Sequence, residues 1–311
     1  YFKDPWFSNT SGHGAAQFVS ETGYYACPSP VSVNKFITPA CGYPILNADG
    51  KPKAEWQCHA ASMEPAKDAQ YSFRPGATYR QACTVFGDGA AWDLNAFAMR
   101  SQCTQAEALK YFIERIRTSK WRRTGILWWN LVDGWPQVSD AVVDYYGVKK
   151  LAYHYIKRTQ QPLCFMFEEP KDGRMNLMLA NDGKQKKRVS YRVTDVTNQK
   201  LVAMGEVEVD ADTTMIVQVL PAFEDYHMLH IEWQGDATGS NLFVFLLCRS
   251  FHLGADGACV ESSDVATLGL NLFEEFPSLL CNRSGEVLDV VRATCGVNNI
   301  VEVSLALQKE L

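Results

Sequence analysis

Pro162 divides this chain into two apolar patterns that cannot fold in the same way. Between Asp93 and Lys120, the residues Leu94, Phe97, Cys103, Ala106, Leu109, Phe112, Ile113 and Ile116 recur at steps of three and four. That spacing predicts one apolar face of a long amphipathic helix, with Asp93 placed to cap its N-terminus. Gly125 to Val132 is near-continuously apolar, as expected of a strand buried on both faces in a parallel sheet. Val148 to Gln160 is helical again, and Pro162 ends it. Residues 15–21 form another short strand that breaks at Gly23. Strand, long irregular connection, helix, strand, loop and helix make an α/β unit of barrel type, with only two of a closed barrel's eight strands evident.

Beyond Pro162 the pattern alternates. Segments 163–168, 174–180, 188–195, 201–209, 213–219 and 227–233 are short, rich in Val, Met and Tyr, and separated by turn residues such as Asn181-Asp182-Gly183 and Asp210-Ala211-Asp212. This is the pattern of an antiparallel β-sandwich of immunoglobulin size. Tryptophan usage shifts in parallel: seven of the eight lie in residues 1–135, and only Trp233 lies later. The reading is therefore α/β followed by all-β, with a barrel-type part over 1–162 and a sandwich over 163–247. A tail, 248–311, shows no site-like cluster and receives no function.

A formal charge of −5 gives no basic footprint for nucleic acid, and the short run Lys184 to Arg188 reads as a solvated turn. No apolar run approaches the roughly 18 residues that span a membrane. The ten cysteines include no C-x-x-C pair and no histidine at zinc-ligand spacing, so neither a metal nor a cofactor is expected. Free thiols in a reducing, cytoplasmic setting are the simplest reading, against which stand sequons at Asn9 and Asn282. The first residue, Tyr1, suggests a fragment or a processed product.

The chemistry-bearing residues concentrate in two places. Glu21 ends the first strand and is followed by Thr22-Gly23-Tyr24-Tyr25, so its carboxylate is expected at the strand's C-terminal end, where barrel enzymes gather catalytic groups. A buried carboxylate there would serve as a nucleophile toward an anomeric carbon. Trp128, Trp129, Asp133, Trp135, Asp140 and Asp144 surround the end of the second strand. Aromatic faces stack on sugar rings and carboxylates bond hydroxyls, so a carbohydrate is the expected ligand. Trp128 and Trp129 must point to opposite sides of their strand, and core packing alone would account for either. Asp133-Gly134 is also a plain turn, Asp140 a plausible cap, and His13 an ordinary exposed loop histidine.

FVSETGYYACPS, residues 18–29, resembles the nucleophile segment of glycoside hydrolase family 2, especially its β-mannosidase-like branch. LWWNLVDGWPQVSDAVVDYYGVKKLAYHYIKR, residues 127–158, resembles that family's eighth strand, active-site loop and closing helix. QAEALKYFIERIR, residues 105–117, resembles its seventh helix. The resemblance implies the C-terminal part of a (β/α)8 TIM barrel followed by an immunoglobulin-like β-sandwich. It implies a retaining hydrolase of β-linked sugars, β-mannosides foremost, with Glu21 as nucleophile and Trp129 as the platform beneath the sugar. Trp128, Asp133 and Trp135 would line the pocket. Thr22 departs from the aromatic residue usual after the glutamate. The family's acid/base comes from an Asn-Glu dipeptide on an earlier strand, and these 311 residues contain none. The resemblance implies that the first six barrel strands, the fourth of which would carry it, and the β-domains that precede them lie outside these residues. The alternative implied is a non-catalytic, truncated glycosidase that binds carbohydrate or supports another domain.

Overall fold

The computed structural model describes residues 17–60, 74–87, 89–223 and 227–245. Ala15, Ala16, His13 and the 248–311 tail lie outside the described residues.

The chain opens with strand β1 (Phe18–Gly23). Among the described residues, the connection after it holds the short helices α1 (Pro30–Val33) and α2 (Ala54–Cys58), and then helix α3 (Arg74–Phe86). Helix α4 (Leu94–Thr118) fills most of the predicted 93–120 span. The Ala96 amide donates to Asp93 Oδ1 at 2.7 Å, the expected cap. Strand β2 (Gly125–Trp129) and helix α5 (Leu151–Thr159) follow, both shorter than their apolar patterns. β1 and β2 form a two-stranded sheet.

Two expectations fail here. β2 is not buried on both faces: Leu127 and Trp129 are 58% and 55% exposed, and Leu131 and Val132 beyond it are also open. Burial on both faces requires a layer on each, and among the described residues β2 shares its sheet with β1 alone. Helix α4, conversely, is buried on more than its apolar face. Ser101, Gln102, Gln105, Lys110 and Glu114 are buried along with Leu109 and Ile113.

After Pro162 come β3 (Leu163–Phe167), β4 (Arg174–Asn181), β5 (Lys187–Asp195), β6 (Lys200–Val209), β7 (Thr213–Pro221), β8 (His227–Gly235) and β9 (Gly239–Phe245). They form an antiparallel three-stranded sheet, β3-β4-β7, and a four-stranded sheet, β6-β5-β8-β9. The β3–β4 hairpin turns on Asp172 and Gly173, both at positive φ, with Lys171 and Arg174 exchanging backbone bonds. Asp-Gly is the pair such a two-residue turn favours, because both central residues need left-handed backbone. One apolar cluster draws on both sheets, with Phe165 against Tyr191 and Trp233 at ring-centroid distances of 5.2 and 5.4 Å.

Two compact units emerge from the packing. One comprises described residues within 1–22, 110–127 and 156–252; the other, within 23–109 and 128–155. In the first, buried Glu114 accepts from Lys110 Nζ at 2.7 Å, Thr159 Oγ1 at 3.0 Å and Asn241 Nδ2 at 2.6 Å. The second has its own core, with Trp56, Phe97, Ile45, Val33 and Val138.

Candidate active site

The residues after Glu21 are irregular in backbone yet buried, and this combination determines the local chemistry. Thr22, Gly23, Tyr24 and Ala26 to Pro30 are buried, so their backbone groups need partners without a sheet to provide them. Helix α4 supplies several. The Cys27 amide donates to Ser101 Oγ at 3.0 Å, Gln102 Nε2 donates to the Cys27 carbonyl at 3.0 Å, and Gln105 Nε2 donates to the Tyr24 carbonyl at 2.9 Å. The same Gln105 amide reaches the Asp140 carbonyl at 2.8 Å, and Gln102 Oε1 accepts from the Leu151 amide at 3.0 Å. One stretch of helix thus ties 24–27 to the loop that follows β2.

That loop is also pinned from within. Residues 130–133 pair with 142–143, the Val143 amide donating to the Leu131 carbonyl at 2.9 Å and the Asp133 amide to the Val143 carbonyl at 3.1 Å. Asp133, 4% exposed, turns its carboxylate inward, where Oδ1 accepts from Ser139 Oγ at 2.5 Å and Gln137 Nε2 at 2.7 Å. Burial pushes this carboxyl above its ordinary value, an effect opposed by Lys150 and the two hydrogen bonds. Asp144 accepts from the Tyr146 and Val148 amides and closes a turn.

Lys150 is the centre of this arrangement. It is 1% exposed, and its Nζ donates to the carbonyls of Ala26 at 3.0 Å and Ser139 at 3.2 Å. Burial pulls its ammonium below the ordinary value, while Asp133, Asp144 and Asp140 work to keep it charged. Asp140 is itself pushed up to about 6 by burial, against the pull of Arg74 and Lys150. Arg74 Nη1 stands 3.6 Å from Asp140 Oδ2, and its guanidinium lies over the Tyr25 ring. Gly23 has to be glycine here: an added Cβ would collide with the Asp140 carboxylate and come within 3.0 Å of the Trp129 carbonyl oxygen.

The candidate residues divide accordingly. Glu21 is exposed, not buried as expected, because it sits on β1 before the chain enters the polar clamp. Trp129 is exposed and Trp128 half-buried, as opposite strand faces require. Trp135 is half-buried and stacks on His59 at 5.5 Å between ring centroids. Asp133 and Asp144 serve the loop's own backbone and side chains. Lys150, Gln105, Arg74 and His59 were missed by sequence reasoning; the first two sit in helical or near-helical sequence where polar side chains are ordinarily solvated. Among the described residues, no group of three His, Cys, Asp or Glu side chains is arranged to hold a metal ion, and no helix is long and apolar enough to cross a membrane.

No protein-family model matches the chain. It is 30% identical over 156 residues to beta-mannosidase B of Emericella nidulans, an alignment covering 48% of this chain and 16% of that protein. A crystal structure of a beta-D-mannosidase from Dictyoglomus thermophilum superposes on 77% of the chain with a TM-score of 0.62 at 23% identity. The exo-chitosanase CsxA of Amycolatopsis orientalis covers 87% with the same TM-score at 15% identity. The chain spans 28% and 33% of those two structures. The two structural likenesses show a shared fold. The chain is related to the β-mannosidase-like branch of glycoside hydrolase family 2.

Proposed function

We propose that residues 1–162 supply the closing part of a (β/α)8 glycosidase barrel and residues 163–247 an immunoglobulin-like sandwich. On this reading the intact protein is a retaining hydrolase of β-linked sugars, β-mannosides foremost. Glu21 attacks the anomeric carbon, the glycosidic bond breaks as an acid carboxyl protonates the leaving oxygen, and a glycosyl ester forms on Glu21. Water, deprotonated by that second carboxyl group, then cleaves the ester and restores both groups. Trp129 stacks under the sugar, with Trp128 behind it. Asp133 contributes by holding the Trp135 loop and not by bonding sugar.

The observation that carries this reading is the placement of Glu21: a solvent-accessible carboxylate near the end of β1, immediately before a turn held rigid by buried polar contacts. A catalytic group on a rigid element beside a fixed loop is what positioning of a nucleophile requires. The relationship to beta-mannosidase B supports the choice of sugar. In the intact protein, Glu21→Gln is expected to lower turnover of aryl β-mannosides by on the order of 10³-fold or more while substrate still binds. Near-normal hydrolysis by that variant would overturn the assignment.

The absence of an Asn-Glu dipeptide from these residues favours a second reading for the 311-residue polypeptide by itself: a non-catalytic carbohydrate-binding or supporting piece. Clear turnover of an aryl β-glycoside by that polypeptide alone would exclude it.

A further inference from the structure

We propose that Arg123 and Arg115 form a binding site for a small dianionic oxyanion of the phosphate class, with Arg123 Nε and Nη2 each donating to one of its oxygens. Arg123 is 3% exposed, yet neither Nε nor Nη2 has a hydrogen-bond partner. Those two nitrogens share one edge of the planar guanidinium, so their N–H bonds run parallel and call for two acceptor oxygens side by side. Cations earlier in the same stretch are provided for. Arg117 Nη2 meets Asp182 at 2.9 Å, and Lys120 Nζ meets Asp182 at 2.9 Å and Asp212 at 2.6 Å. Among the described residues, no carboxylate acts on Arg123; the groups that do are Arg115, Arg122 and Tyr111. Burial and the two like charges pull its guanidinium below the ordinary value.

A covered cation beside two others is costly unless an anion completes it. Arg115, on α4, is the second donor. Its Nη1 stands 3.9 Å from Glu168 Oε1, beyond hydrogen-bond reach, and its Nε is buried without a partner. Glu168 already accepts from Asn176 Nδ2 at 2.8 Å. A spherical halide cannot meet two parallel N–H bonds as two oxygens do. Three guanidinium charges favour a dianion over a carboxylate, since each added charge on the ligand is attracted by all three. The near-complete cover of Arg123 favours a free ion over a phosphate carried on a larger molecule. Arg123 precedes the first residue of β2, whereas the loop of the candidate active site follows its last. The oxyanion site therefore does not depend on the glycosidase reading.

Calorimetric titration of the intact protein with inorganic phosphate at pH 8, with ionic strength held constant by sodium chloride, tests the site. Saturable binding is expected in the native protein. Arg123→Lys keeps the charge and loses the fork, and is expected to weaken phosphate by about tenfold, the effect of one lost charge-assisted hydrogen bond. Arg123→Met, which keeps most of the stem and removes the cation, is expected to abolish the binding. Arg115→Gln is expected to weaken it severalfold, and keeps the site testable should the Met variant fail to fold. Acetate, a monoanion with the same pair of oxygens, is expected to bind more weakly than phosphate. The site is overturned by an absence of saturable phosphate binding to the native protein. It is equally overturned by acetate binding as tight as phosphate binding, or by undiminished phosphate binding in both Arg123→Lys and Arg115→Gln.

Discussion

The two-sheet region after Pro162 and the helix-and-loop region of residues 23–109 and 128–155 solve the same problem by different means. In the sheets, backbone groups pair with each other along regular ladders, and the enclosed cluster is nearly all apolar. In the helix-and-loop region, the carbonyls of Tyr24, Ala26, Cys27, Ser139 and Asp140 are bonded by Gln105, Lys150 and Gln102 side chains. Buried irregular backbone cannot be left unpaired, so long polar side chains take over the work of a neighbouring strand. The consequence is a rigid surface of arbitrary shape, which suits a binding site. The cost is a lysine and several aspartates out of water, which makes this region sensitive to pH and to single polar substitutions.

Lys150→Met should break that contrast most severely. The variant keeps the aliphatic length and removes the cation shared by Asp133, Asp140 and Asp144, together with two carbonyl contacts. A loss of about 3–5 kcal/mol at pH 8 is expected, the usual cost of leaving buried charge without its partner. The loss should be smaller at pH 5, where Asp140 protonates and less negative charge is left behind. Urea unfolding at both pH values measures it, and a pH-independent loss under 1 kcal/mol would mean that Lys150 contributes only its methylene packing.

Asp140 sharpens the comparison with a smaller, signed effect. Its folded value of about 6 lies above the ordinary 3.8, so the folded protein holds this proton more tightly than the unfolded chain does. The stability contributed by the protonated group is therefore complete below about pH 4, and is lost as pH rises through 6. Asp140→Asn does not titrate, and it should gain on the native protein by about 2–3 kcal/mol between pH 4 and pH 7. A constant difference between the two across that range would sink the account.

The same contrast explains what could be read in advance. Six of the seven strands after Pro162 were legible within a residue or two, because alternation reports one buried face directly; β9 was legible only as the apolar run from Leu242. Helix α4 was legible from its three- and four-residue steps. Its second role was not: Ser101, Gln102 and Gln105 look like an ordinary solvated face, and only the buried loop opposite gives them a purpose. Lys150 is one of two adjacent lysines before a helix, and nothing local distinguishes it from exposed Lys149. The exposure of Glu21 and of β2 was misjudged for a related reason, since an apolar strand pattern states what a strand could bury and not what lies beside it. His59 lies in an irregular connection with no periodic signal, and its pairing with Trp135 is a fact of three dimensions.

The smallest expected effect lies on the outer face of the sheets. Lys186 Nζ meets Glu208 Oε2 at 2.7 Å, as close as the buried Lys110–Glu114 pair, and both Lys186 and Glu208 have their charged forms favoured by that contact. Distance alone would rank the two pairs together. Lys186 and Glu208 are exposed, however, so water and salt screen their attraction, and holding two long side chains in one geometry costs entropy. Lys186→Ala should leave the unfolding midpoint within measurement error in 0.15 M salt, whereas Glu114→Gln, which also breaks a contact to a lysine but inside the protein, should lower it clearly. Equal shifts in the two variants would show that proximity, and not burial, governs how polar contacts stabilise this chain.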